Sequence, residues 1–219
     1  GISATANATI TTASGTISNV GSGNMGIQVS TGVTLDLRTQ AIGSGAGSKK
    51  KSGNGILALT GANYTGGFAM NAGTVVARAA SAFGTGALTI NGGTLGATAN
   101  LVLSSSSLVV GGDFTFGTSA APALSTASLT FNGTTNLGAT TRTITLGSTG
   151  IYALNGAISG SGGLTVAATS TGTLALGGTN TYTGKTTVNG GTLAITNVAA
   201  LGANPGSFTA DQVTLNGGT

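Results

Sequence analysis

The chain has few side chains able to do chemistry, so their types and spacing are the place to begin. Lys49, Lys50 and Lys51 form an unbroken run, Tyr64 and Tyr182 are two of only three tyrosines, and Lys185 stands three residues after the second of them. A lysine binds anions as a mobile point charge, and a tyrosine offers a sugar a flat, amphipathic face. The lysine run lies in the Gly- and Ser-rich stretch 43–55 and reads as a flexible basic loop. Its plain role is a solvated excursion. Its sharper role is contact with anionic lipopolysaccharide, an acidic glycan or a neighbouring molecule. Tyr64 and Tyr182 occupy equivalent places in two similar segments, and repeated aromatics pack at corners more often than they bind sugars.

The acids are Asp36, Asp113 and Asp211, and the chain has no Glu, His or Cys. Thiolate nucleophiles, Ser-His-Asp triads, zinc sites and Glu-based glycosidase pairs each need a missing residue type. The three Asp could in principle converge with Arg38, Arg78 and Arg142 on one face, as acids do in β-helical pectin-type enzymes. A lone Asp in a Thr- and Gly-rich chain is more often a turn cap. Calcium binding in the nonapeptide style needs one Asp per short repeat, which this chain lacks.

Two phosphate-style motifs fail on context. Gly21-Ser-Gly23-Asn-Met-Gly26 spells a dinucleotide fingerprint, but 41 glycines in 219 residues make a chance match expected. It runs on into the strand-like Ile27-Gln-Val29, and Asp36 comes too early to bind a ribose. Gly178 to Thr186 resembles a P-loop with one residue too many between its glycines, and it too leads into strand residues. No cofactor, no metal and no enzymatic activity are expected. The Asn-X-Thr sequons at Asn7, Asn63 and Asn132 carry little weight in so Thr-rich a chain.

The elements that must hold these residues are strands. Apolar-x-apolar pairs recur at Leu35/Leu37, Leu101/Leu103, Leu108/Val110, Phe114/Phe116, Leu129/Phe131, Ile144/Leu146, Leu164/Val166 and Leu193/Ile195. Period-two alternation marks strands with one buried face, and the Gly, Asn and Ser clusters between them mark turns. No segment sustains a helical period or approaches the length of a transmembrane helix. Net charge is +4 from seven cations, without the aromatic-interleaved basic face that nucleic-acid binding needs.

The strands repeat. Asn-Gly-Gly-Thr occurs at 91–94, 189–192 and 216–219, with the variant Asn71-Ala-Gly-Thr74. Leu57-Ala-Leu59-Thr-Gly61-Ala-Asn63-Tyr64-Thr65-Gly66 returns as Leu174-Ala-Leu176-Gly-Gly178-Thr-Asn180-Thr-Tyr182-Thr183-Gly184, with one insertion. The second unit has a longer loop around Asn204-Pro205-Gly206. Repetition with charged residues at only 5% favours a solenoid, because coils stacked at about 4.8 Å bring like charges together while Thr and Asn can form ladders. The expectation is an all-β, right-handed parallel β-helix of about 11 coils at roughly 20 residues each, a rod on the order of 50 Å long.

The segment Gly172–Leu193, Gly-Thr-Leu-Ala-Leu-Gly-Gly-Thr-Asn-Thr-Tyr-Thr-Gly-Lys-Thr-Thr-Val-Asn-Gly-Gly-Thr-Leu, closely resembles the autotransporter-associated β-strand repeat, also called the passenger-associated transport repeat. Gly156–Leu164 is similar to its lead-in. The Leu57–Leu95 copy departs from the pattern, with Phe68-Ala-Met70 in place of Thr-Thr-Val. The resemblance implies a piece of a larger bacterial surface or secreted protein, in which 1–219 is one continuous solenoid segment with repeat-like units at about 55–95 and 156–219. Its expected role is a stiff stalk or fibre segment supporting adhesion or filament assembly, with end-to-end or lateral self-association. A glycan- or host-surface-binding module is the alternative, and a glycan-cleaving β-helix enzyme a distant third. The candidate contact residues are Lys49, Lys50, Lys51, Tyr64, Tyr182 and Lys185.

Overall fold

The computed structural model describes residues 24–117, 122–123, 126–204 and 210–219, together with the short strands Ile2–Ala4, Ala8–Thr9 and Thr16–Ile17. For those three strands and for 38–44 and 62–63 the description is of backbone alone. Among the described residues there is no helix, and every strand pairing is parallel. The chain is a parallel β-solenoid, as the repeat predicts.

Three sheets form its sides. Sheet 1 stacks eight strands from Ile2–Ala4 to Ile158–Ser159, and sheet 2 has eleven, ten of them in one path from Ala8–Thr9 to Val213–Leu215. Sheet 3 stacks five, from Leu101–Leu103 to Thr192–Ile195, so a three-sided cross-section begins only near residue 101. Before that point the sheet-2 strands Thr34–Gly45 and Ile56–Tyr64 run on past the usual length, and the register between them shifts after Leu37 and after Ile42.

The coil number differs from expectation. Eight strands in sheet 1 enclose about seven turns, not eleven, and the rod is on the order of 40 Å long. A uniform coil near 20 residues underlies the higher figure, and the coils are not uniform. Leu57 does pair with Val75, 18 residues on, but Phe114 pairs with Ile144, 30 residues on. Loops at the corners absorb the surplus, and one of them lays Ala123 over Ala58 and Val76 on the outer side of sheet 2.

The core consists of stacked inward rows. In sheet 2, Leu35, Leu57, Val75, Leu95, Phe116 and Leu146 lie one above another. Sheet 3 contributes Leu129, Tyr152 and Leu174. Where the cross-section becomes three-sided the aromatics gather. Phe116 stacks on Tyr152 at 4.9 Å between centroids and meets Phe114 edge-on at 4.7 Å and Phe131 at 5.9 Å. Such pairs add roughly 0.5–1.5 kcal/mol each beyond their burial.

Candidate functional site

The lysine run is not a loop. Lys49–Ser52 is a strand of sheet 1, paired with Met25–Gln28 on one side and with Phe68–Met70 on the other. Alternation decides the fate of each lysine: Lys50 points outward and is exposed, whereas Lys49 and Lys51 point inward and are 1% and 0% exposed. Lys49 occupies a row that includes Met25, Phe68 and Leu88. Lys51 continues the row Ile27, Met70 and Ile90.

Among the described residues, no carboxylate pairs with either amine. Their stems bend toward the two ends of the strand, where turn carbonyls accept their protons. Lys49 Nζ donates to Gly47 O at 2.9 Å and sits 5.2 Å from the centroid of the Tyr64 ring. Lys51 Nζ donates to Gly53 O at 2.5 Å and to Ala72 O, on the next coil, at 2.9 Å. Desolvation lowers both ammonium groups, Lys51 to about 8. Composition alone reads three lysines among Gly and Ser as solvated. The signal that would have placed them is register, because Lys51 precedes its corner as Met70 and Ile90 precede theirs.

Tyr64 and Tyr182 are both fully buried. Each packs under a glycine twenty residues on, Gly84 or Gly202, at φ +65° or +90°. A methyl group on either glycine would overlap the tyrosine carbonyl oxygen and press on the ring at 3.1 Å. The two sites differ at the hydroxyl. Tyr182 shares a hydrogen bond of 2.7 Å with Thr186 Oγ1, whereas the residue four positions after Tyr64 is Phe68, and the Tyr64 hydroxyl has no partner among the described residues. Burial raises both hydroxyls, and the Thr186 bond offsets part of the rise at Tyr182. Tyr152, the third tyrosine, is bonded to Ser148. Corner packing is what the structure gives these rings.

Lys185 is exposed at the corner before Thr186–Val188, and its carbonyl accepts Leu164 N–H at 2.9 Å. The acids lie apart in role. Asp36 takes both arms of Arg78, Asp113 Oδ1 accepts Thr143 N–H at 2.8 Å, and Asp211 sits in a turn at φ +57°. Among the described residues, no three His, Cys, Asp or Glu side chains come together. Gly21, Gly23, Asn7 and Pro205 lie outside the described residues, as do the side chains of Arg38 and Asn63.

The outward faces carry ladders. On sheet 2, Thr74, Thr94, Thr115 and Thr145 stack in register, and Thr143, Thr165, Thr187 and Thr214 form a second column beside them. The columns share the strand Arg142–Leu146, and there a shallow groove of about 460 Å³ is lined by Thr94, Asp113, Thr115, Thr143 and Thr145. At strand ends, asparagines bond from coil to coil: Asn91 to Asn71 at 2.8 Å, Asn155 to Asn132 at 3.0 Å and Asn216 to Asn189 at 2.9 Å.

Two segments, residues 50–77 and 168–195, match the family model of the passenger-associated-transport-repeat. Both hold a buried corner tyrosine, Tyr64 or Tyr182, and the next strand of sheet 2, Thr74–Ala77 or Thr186–Val188. No curated protein and no solved structure matches the chain.

Proposed function

We propose that this chain, which carries two passenger-associated transport repeats on a parallel β-solenoid, is a rigid spacer segment of an autotransporter passenger at the bacterial surface or beyond it. The observation that carries this reading is the continuity of the ladders. Backbone hydrogen bonds pass from coil to coil without an intervening hinge element between residues 24 and 117, and from Thr74 to Thr115 an outward Thr column runs with them. The work of such a segment is mechanical rather than enzymatic: it holds whatever it bears at a fixed distance.

Self-association fits the same reading. In the coil 192–215 the row positions are open: Ile195 is 49% exposed and Leu215 60%. A coil of a second copy finds there both apolar surface and strand edge. Electron microscopy of the purified chain tests it. Rods that lengthen with concentration, and shorten to single units when Ile195 and Leu215 are both changed to Lys, are expected. Single units at every concentration would overturn the self-association, and flexible or globular particles would overturn the spacer.

The groove on sheet 2 favours a second reading, recognition of an uncharged glycan by the hydroxyls of Thr94, Thr115, Thr143 and Thr145 with Asp113 at one end. Tyr64, Tyr182, Lys49 and Lys51 have no free surface to offer such a ligand, while Lys50 and Lys185 remain exposed. Glycan-array binding that disappears in Asp113→Ala with Thr143→Val supports this role. Binding unaffected by those changes, or absent, removes it.

A further inference from the structure

Six Asn-Gly steps occur, at Asn54, Asn91, Asn132, Asn155, Asn189 and Asn216. This dipeptide is the substrate of a spontaneous reaction. The glycine amide nitrogen attacks Asn Cγ, a new C–N bond closes a succinimide ring, and the Cγ–Nδ2 bond breaks. The departing nitrogen takes the amide proton and leaves as ammonia, and water then opens the ring to aspartate or isoaspartate. In an unfolded chain all six steps are alike. The fold separates them.

Ring closure needs a glycine N–H that is not engaged and a peptide plane with room to turn. Asn54 is exposed, but the Gly55 N–H donates to Val29 O at 3.0 Å. A methyl group at Gly55, Gly133, Gly156 or Gly190 would overlap a carbonyl oxygen of the coil below, so these peptide planes are tightly wedged. Gly217 is less confined, with Asn189 O at 2.9 Å from that point. Gly92 has the most room, its nearest such contact being Asn71 O at 3.3 Å. Its N–H donates to no acceptor among the described residues, and Asn91 is exposed.

We propose that Asn91–Gly92 is the solenoid's preferred site of deamidation, a modification site built into the corner between sheets 1 and 2. The product is not neutral to the fold. Asn91 Nδ2 donates to Asn71 Oδ1 at 2.8 Å, and a carboxylate there sets oxygen against oxygen until the Asn71 amide turns over. The modification records the age of the exposed rod one corner at a time.

Peptide mapping by mass spectrometry of the folded chain, incubated at mildly alkaline pH and compared with the same chain in urea, tests this. Conversion at Asn91 is expected to exceed that at Asn54 by about five-fold when folded, roughly the effect of one hydrogen bond, and by nothing in urea. Gly92→Ala, whose methyl the corner accommodates with a few tenths of an ångström of adjustment, slows Asn91 and leaves the other sites at their rates. Conversion at Asn54, Asn132 or Asn216 that keeps pace with Asn91 in the folded chain overturns the proposal. So does an unchanged rate in Gly92→Ala.

Discussion

Arg78 reaches back across two coils to grip Asp36, with Nε on one carboxylate oxygen at 3.0 Å and Nη2 on the other at 2.7 Å. The pair stands on the outer side of sheet 2, where Asp36, Ala58 and Val76 stack in register. Asp36 is nearly sealed, so the clamp works away from water.

Arg78→Ala leaves that carboxylate buried without its guanidinium. A loss of about 2 kcal/mol is expected, read as a lower urea midpoint. Arg78→Lys recovers part of it, because an ammonium cannot make the two-pronged contact.

Lys51 gives a stability that depends on pH. Its folded value of about 8 lies below the unfolded 10.5, so between those two pH values the unfolded chain binds more protons. Stability therefore rises with pH across that window and is flat below it. Lys51→Met, matching Met70 on the neighbouring coil, is expected to stabilise the fold at neutral pH by on the order of 3 kcal/mol, less whatever Gly53 O and Ala72 O lose. It should also flatten the slope. Denaturation midpoints taken across pH 8 to 10.5 read both effects.

The two tyrosine corners should answer the same substitution differently. Tyr182→Phe removes the bond to Thr186 and costs about 1 kcal/mol. Tyr64→Phe removes a hydroxyl that bonds to no described residue and is expected to be neutral or stabilising. Thermal melts of the two variants make the comparison directly.

Gly84→Ala and Gly202→Ala both force a methyl group into a tyrosine carbonyl at positive φ. Each should cost more than about 2 kcal/mol. Gly92→Ala, at ordinary φ and with its nearest neighbour 3.3 Å away, should cost far less. Equal losses in the three melts would show that the corners are softer than their packing.

The fold is legible because its rule is local: Leu57-x-Leu59 or Leu164-x-Val166 declares a half-buried strand, and Asn-Gly-Gly-Thr declares a corner. Coil length is not, since nothing in the sequence says that Phe114 pairs with a residue 30 positions on while Leu57 pairs with one 18 on. The lysines mislead for a related reason. Residue type argues for solvent, while alternation within Lys49–Ser52 sends two of three inward. Arg78 and Asp36 are 42 residues apart, and only the stacking register brings them together.

The parallel ladders run their hydrogen bonds along the long axis of the rod. A pull on its two ends therefore loads those bonds in series, and the chain yields by peeling off an end coil rather than by shearing as a block. A coil so released frees roughly 60 to 100 Å of slack, according to its length. Under tension the segment is a ratcheting fuse: inextensible until a coil lets go, then longer by a step set by the length of that coil.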